Sequence, residues 1–328
     1  MLKLIVRNHA LLQYALNAIA EMGRSDAKTN QFETFPDLYP GRRGSMLPFM
    51  ARTMECEANY ILSKDLTFFF SLHAECMQRA RQLGGKTPTA SVLANAERVF
   101  DMGSILPEDA QSLFSDLDDS KAEVWFQRAD EVAFSILTRQ VQIREPLLGL
   151  QTISELLPHY VENPVVVGII LRLYLLVGDV KAARRTHIRL EEVAGPDSII
   201  ANIHRGFLFV ADAEYQKALS QFEKVLAKEP YNMSALNNAA ICHTFLRDAQ
   251  KAVSFLEDAL FSKPESNLNE TSVFNLCTLY ELLSDKALDR RRKVLQLVLD
   301  HAPDHFNLLS LRLPTGQLAP TNHPPIVP

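Results

Sequence analysis

The chain is 328 residues long, 47% apolar and 22% charged, the balance of an ordinary soluble protein with room for one elongated array or two compact domains. Its net charge of −5 gives no reason to expect nucleic acid, which requires a concentrated basic surface. Its four cysteines, Cys56, Cys76, Cys242 and Cys277, form no CxxC pair and sit in helical contexts, which points to reduced thiols in the cytosol and away from a disulfide framework or a zinc site.

At the N-terminus Leu4, Leu11, Leu12, Leu16 and Ile19 fall at helical spacing, while Lys3, Arg7, Asn8, His9, Gln13 and Asn17 interrupt the apolar run. The segment therefore reads as an amphipathic helix. A signal peptide needs an unbroken apolar centre and a membrane span needs about 20 apolar residues, so no direct membrane insertion is expected. A chain opening inside a packing helix also suggests that upstream helices have been lost. Pro36, Pro40, Gly41 and Gly44 mark a long irregular loop at 23–48, a length that commonly carries function or is disordered. Arg52–Phe70 and Ser71–Leu83 then read as a helix pair and Ala90–Phe100 as a further helix, before an acidic break from Pro107 to Ser120.

From Val124 onward the chain repeats itself. Gly206, Phe209, Ala218, Phe222 and Pro230 are matched by Ala240, His243, Ala252, Leu256 and Pro264, each 34 positions on, which is the tetratricopeptide-repeat (TPR) period. The physical logic is close packing. Gly206 or Ala240 lets the second helix approach, Ala218 or Ala252 is its small counterpart, Phe222 or Leu256 fills the adjacent space, and Pro230 or Pro264 ends the second helix. Leu171, Tyr174, Gly178-Asp179 and Ala183 mark an earlier unit, bounded by Asn163-Pro164; Val124–Val141 and Pro146–Leu157, with Gly149 at the small site, mark one before that. Val273–Leu283 and Ala287–Leu299 form the last pair, where Asp289 takes the place expected of alanine and the run Asp289–Lys293 suits a solvated capping face. Asn232 and Asn269 begin sequons of no consequence outside a secretory context. Five prolines after Leu313 predict a disordered tail.

These elements predict an all-α fold, a TPR-type helical-repeat solenoid in which antiparallel helix pairs form a right-handed superhelix. Its expected divisions are degenerate helical repeats at 1–120, a TPR array with a C-terminal capping unit at 121–310, and the tail at 311–328.

No chemistry stands out. Gly84-Gly85-Lys86-Thr87 resembles the end of a phosphate-binding loop, but Ala80 stands where its first glycine belongs and no strand precedes it. His73-Ala74-Glu75 lacks the P-C-x-x-C that completes a deaminase zinc shell. Cys242 and His243 are neighbours on a helix, about 100° apart, and do not readily share a metal. No catalytic residue, cofactor site or metal site is assigned, and the chain reads as a non-enzyme.

What a TPR array offers is the concave surface of its first helices, here Ile203, Phe207 and Val210, then Asn237, Ile241 and Thr244. This surface is mainly apolar. Ile203 and Phe207 occupy positions where a carboxylate clamp for chaperone C-termini would place lysine and asparagine, so the surface suits helices or extended segments of a stable partner, or in part packs against neighbouring repeats. In the loop, Tyr39-Pro40-Gly41-Arg42-Arg43-Gly44 projects two guanidinium groups between glycines. Arg42 and Arg43 read equally as partner contacts, arginine being enriched at interfaces, or as residues capping a helix or solvated in a turn.

The run from Phe35 to Phe49 around that arginine pair, the Asn237–Cys242 segment, the Asn269–Leu282 segment with its Asn-Glu-Thr and Tyr-Glu-Leu strings, and the closing His305-Phe306-Asn307 resemble the trafficking protein particle (TRAPP) complex subunit 12 family, in order from about Gln31 to Asn307. The resemblance implies a non-catalytic TPR subunit of a multisubunit vesicle-tethering complex acting in ER-to-Golgi transport and autophagy. Its expected partners are other subunits of that complex and, indirectly, a Rab-family GTPase. Its expected place is the cytoplasmic side of the ER-Golgi intermediate compartment and the Golgi, held peripherally. Members of the family carry a long low-complexity N-terminal region that this sequence lacks, which implies a short form. The alternative is a TPR adaptor of unrelated purpose, such as a co-chaperone or a subunit of another assembly.

Overall fold

The computed structural model describes residues 49–88, 120–283, 286–302 and 306–313. The N-terminal helix, the 23–48 loop with Tyr39, Arg42 and Arg43, the Ala90–Phe100 helix, most of the acidic break and the tail lie outside the described residues. Among those described, every regular element is helical. The chain divides into two compact units between Val193 and Ala194.

In the first unit α1 (Phe49–Ser63) pairs with α2 (Thr67–Gln82), α3 (Ala122–Gln142) with α4 (Pro146–Leu156), and α5 (Pro164–Val177) precedes α6 (Val180–Ala194). In the second unit the pairs are α7 (Ile199–Ala211) with α8 (Tyr215–Lys228), α9 (Met233–Phe245) with α10 (Ala249–Ser262), and α11 (Glu270–Leu283) with α12 (Ala287–His301). The first break falls at residues 64–66, not at Phe70/Ser71 as the sequence predicts. Lys64 takes a left-handed φ of 59°, and Asp65 Oδ1 accepts the Thr67 amide at 2.9 Å, so a local turn overrides an uninterrupted apolar period.

A turn geometry no motif announced repeats through the chain. Arg144, Gly178, Ala213 and Arg247, spaced by 34, 35 and 34 positions, all sit at left-handed φ after a first helix. The amide of the next residue, Glu145, Asp179, Glu214 or Asp248, donates back to the carbonyl of Gln140, Tyr174, Phe209 or His243 at 2.8–2.9 Å. This six-to-one closure satisfies the open carbonyls of the first helix. Asp179 and Asp248 then cap the second helix, accepting the amides of Ala182 and Lys251. First helices start as regularly, with Asn163, Ser198, Asn232 and Asn269 capping α5, α7, α9 and α11. The two sequon asparagines are therefore helix caps.

Second-helix packing follows the same register. Gly149, Ala183, Ala218, Ala252 and Ala287 take the small site, and all are buried. In α12 the buried alanine is Ala287, while Asp289, which the sequence reading put at the small site, is exposed. Pro264 not only follows α10 but opens the single turn Pro264–Asn267, and Asn267 Nδ2 donates to Ala259 O at 2.7 Å, adding residues before α11. Four positions beyond the small site come Ile153, His187, Phe222, Leu256 and Arg291. The charged run at 289–293 is consequently not all solvated, since Arg291 is buried.

Candidate partner-binding face

The first helices of the second unit, α7, α9 and α11, line up side by side. On α7, Ile203, Phe207 and Val210 are half-buried and pack against the cluster of Ala218, Phe222 and Val225. Phe207 lies 5.5 Å from the His204 ring and 6.0 Å from the Phe222 ring. On α9, Ile241 and Thr244 are half-buried, and the Thr244 hydroxyl donates to Ala240 O at 2.8 Å. Asn237 is buried and its Oδ1 accepts Asn275 Nδ2 of α11 at 2.9 Å. The sequence-predicted face thus exists as a row, but each member is shared between surface and core. That sharing limits how much apolar area it can offer.

The row continues onto α11 at positions that the sequence reading missed. Buried positions on α9 and α11 match at an offset of 37, pairing Ala235, Ala239 and Ala240 with Ser272, Leu276 and Cys277. Asn237, Ile241 and Thr244 then correspond to Phe274, Thr278 and Glu281. A return segment, a 3-10 turn at Leu308–Leu311 followed by Arg312, packs on α11 and α12. Arg312 Nη1 donates to Thr278 Oγ1 at 3.0 Å, its Nη2 lies 3.1 Å from Glu281 Oε2, and its guanidinium carbon sits 5.3 Å from the Phe274 ring centroid. Arg291 reaches the other Glu281 oxygen at 2.9 Å and donates to Arg312 O. Arg312, which completes this arrangement, lies 29 residues beyond Leu283 at the end of α11, so no local pattern could reveal it.

The strings set aside on sequence grounds have structural roles. A Cβ at Gly85 would lie 2.6 Å from the Phe126 ring and 2.9 Å from Ala80 O, so Gly85 is a close-packed turn. Glu75 pairs with Arg79 at 2.7 Å and with Arg52. All four cysteines are buried; burial pushes Cys242 up to about 11 and the other thiols up to about 12, far from nucleophile range. Among the described residues no group of three or more His, Cys, Asp or Glu is placed to hold a metal, and no helix is long and apolar enough to cross a membrane.

The first unit is organised around buried arginines and a polar cluster. Arg128 lies 4.9 Å from the Phe49 ring and 4.6 Å from Trp125, and Arg79 lies 4.7 Å from Trp125. Asp130 accepts the Tyr160 hydroxyl at 3.0 Å and is 3.0 Å from His159 Nε2. Burial pushes the nearby His73 imidazole down, with Asp130 pulling the other way. Next to Asp130, loss of solvent pushes Glu131 up to about 7 although Gln127 donates to it.

Opposite pH dependences follow. Glu131 holds its proton more tightly folded than unfolded, so its contribution is complete below the ordinary 4.5 and is lost as pH rises through about 7. His73 does the reverse, and its contribution is lost as pH falls below the ordinary 6.5. Glu131→Gln removes only the first, so the stability of the variant relative to the parent should climb from about pH 5 to about pH 8 in urea unfolding series. A pH-independent difference would show that Glu131 titrates normally.

Compared with known proteins, the chain is similar to the mouse protein called trafficking protein particle complex subunit 12, with 28% identity over 321 residues. That alignment covers 94% of this chain and 38% of the mouse protein. The human protein of the same name is 27% identical over 323 residues, covering 94% of this chain and 42% of its own. The chain therefore spans about two fifths of the length of these relatives. No protein-family model matches it. Among solved structures, the TPR domain of P58(IPK) is 14% identical, covers 90% of this chain and 95% of its own, and has a TM-score of 0.26.

Proposed function

We propose that the chain is a non-catalytic scaffold subunit of a TRAPP-type vesicle-tethering complex, acting in ER-to-Golgi transport and in autophagy. The observation that carries this reading is the similarity to trafficking protein particle complex subunit 12 over 94% of the chain. The TPR-type helix pairs are compatible with it, because stacked pairs present a continuous side-chain row that a partner segment can follow. In this reading the partners are other subunits of the complex, a Rab-family GTPase is reached only through them, and the protein works peripherally at the ER-Golgi intermediate compartment and the Golgi from the cytoplasmic side. The contacts are assigned to the first-helix face around Ile203, Phe207, Val210, Asn237, Ile241 and Thr244, and to the Tyr39, Arg42 and Arg43 loop.

Affinity purification of the tagged chain with mass spectrometry is expected to recover other tethering subunits in fixed proportion. Recovery of chaperones alone would overturn the proposal in favour of a co-chaperone adaptor. Arg42→Ala combined with Arg43→Ala is expected to weaken that recovery while leaving helical content unchanged; loss of helix would make the two arginines structural.

A further inference from the structure

We propose that Phe274, Thr278 and Glu281 form an arginine-reading subsite of the first-helix face, filled in this chain by its own Arg312 and yielded to an arginine on an extended segment of a protein partner. The inference rests on the proposed partner-binding role of that face and extends it to a specific residue type.

Three observations carry it. First, the subsite has the chemistry of guanidinium recognition: an aromatic ring at 5.3 Å, a hydroxyl at 3.0 Å and a carboxylate at 3.1 Å. A planar fork engages all three together, whereas a lysine ammonium is a point charge that cannot stack and bridge at once. Second, these residues stand in register with Asn237, Ile241 and Thr244, so the subsite continues the row on which a partner segment would lie.

Third, the return segment separates anchor from filler. Phe306 and Leu311 are buried in the core cluster of α11 and α12, and Asn307 N donates to Glu270 Oε1 at 2.8 Å. The Arg312 side chain, by contrast, is 37% exposed and holds Glu281 through a pair open to solvent, with Phe274 itself 44% exposed. Arg312 also adopts a left-handed φ of 51°, a conformation disfavoured outside glycine. That φ caps the 3-10 turn and does not depend on the side chain, which can therefore leave without unseating Leu311. Meanwhile Arg291 stays on the other Glu281 oxygen, so the carboxylate keeps its orientation when Arg312 departs. Tethering in cis gives Arg312 a high effective concentration, and a partner segment offsets this by contacts elsewhere on the row.

The test titrates the full chain with Nα-acetyl-arginine amide and its lysine analogue, following the Thr278 methyl and Phe274 ring signals by NMR. Arg312→Gly removes the filler while glycine keeps the left-handed backbone. This variant is expected to bind the arginine probe saturably and about tenfold more tightly than the parent chain, with the lysine probe weaker by several-fold and binding lost on adding Glu281→Gln. Equal response of parent and variant, no saturable shift in a folded Arg312→Gly chain, or equal binding of lysine would each overturn the proposal. Arg312→Gln is the second variant, and unfolding of both would show that Arg312 is a structural cap and not a replaceable filler. The titration contains no partner protein, so its failure leaves the recovery of tethering subunits intact, and failure of that recovery leaves the subsite standing.

Discussion

Gly206→Ala is expected to cost about 2 kcal/mol of stability, and Gly206→Ala with Phe222→Leu to restore most of it. A Cβ at Gly206 would lie 2.5 Å and 2.6 Å from two atoms of the Phe222 ring. Ring tips usually move aside cheaply, but Phe222 is fully buried among Ala218, Val225, Ala235 and Ala239 and has nowhere to go. The overpacking cost, about 1–3 kcal/mol, exceeds the gain of about 0.5–1 kcal/mol from replacing glycine within a helix. The next repeat already contains the solution: where α7 and α8 pair Gly206 with Phe222, α9 and α10 pair Ala240 with Leu256. Phe222→Leu alone should be destabilising through its cavity, so a double-mutant cycle in urea should give a favourable coupling above about 1 kcal/mol. Additive effects would show that the two residues do not share space.

Arg291→Ala is expected to cost about 2 kcal/mol, and Arg291→Met distinctly less. Arg291 is buried on α12, where it meets Glu281 and the return segment. Alanine removes its aliphatic stem from that site, leaves Arg312 O without its donor, and strips Glu281 of one of two cations. Glu281 is about a third exposed, so water compensates part of the loss and the effect stays below that of a fully buried pair. Methionine refills the volume but not the hydrogen bond, and should recover about half. Amide exchange across α11 and α12 distinguishes the contributions: Arg291→Ala should speed exchange throughout both helices, Arg291→Met mainly at the return segment. Equal losses in both variants would assign the stabilisation to the charge and not to the filled site.

These two residues also mark the limit of the sequence reading. The 34-residue offset identified Gly206, Ala218, Phe222, Ala240 and Ala252 as packing partners because that packing is local: two helices joined by a short turn must present a small residue opposite a large one, and the requirement recurs with each pair. The sequence reading put the last small site at Asp289, 37 positions after Ala252, whereas the buried alanine of α12 is Ala287, 35 positions after it. Burial marks Ala287 and Arg291 as inward-facing residues of α12, and leaves Asp289 on the surface.

The sequence by itself determined the helical class, the pairing of helices and the face that first helices share, since periodicity, small residues and proline act over distances of one or two helices. It also carried the resemblance to trafficking protein particle complex subunit 12. Only the tertiary structure decided that this face is half given over to the core at Ile203, Phe207 and Asn237, and that it extends to Phe274, Thr278 and Glu281 under Arg312. The reason is sequence separation. Arg312 lies 34 residues from Thr278, and a pair that distant is brought together by the packing of Leu311 and Phe306 into the last helix pair, not by any pattern along the chain.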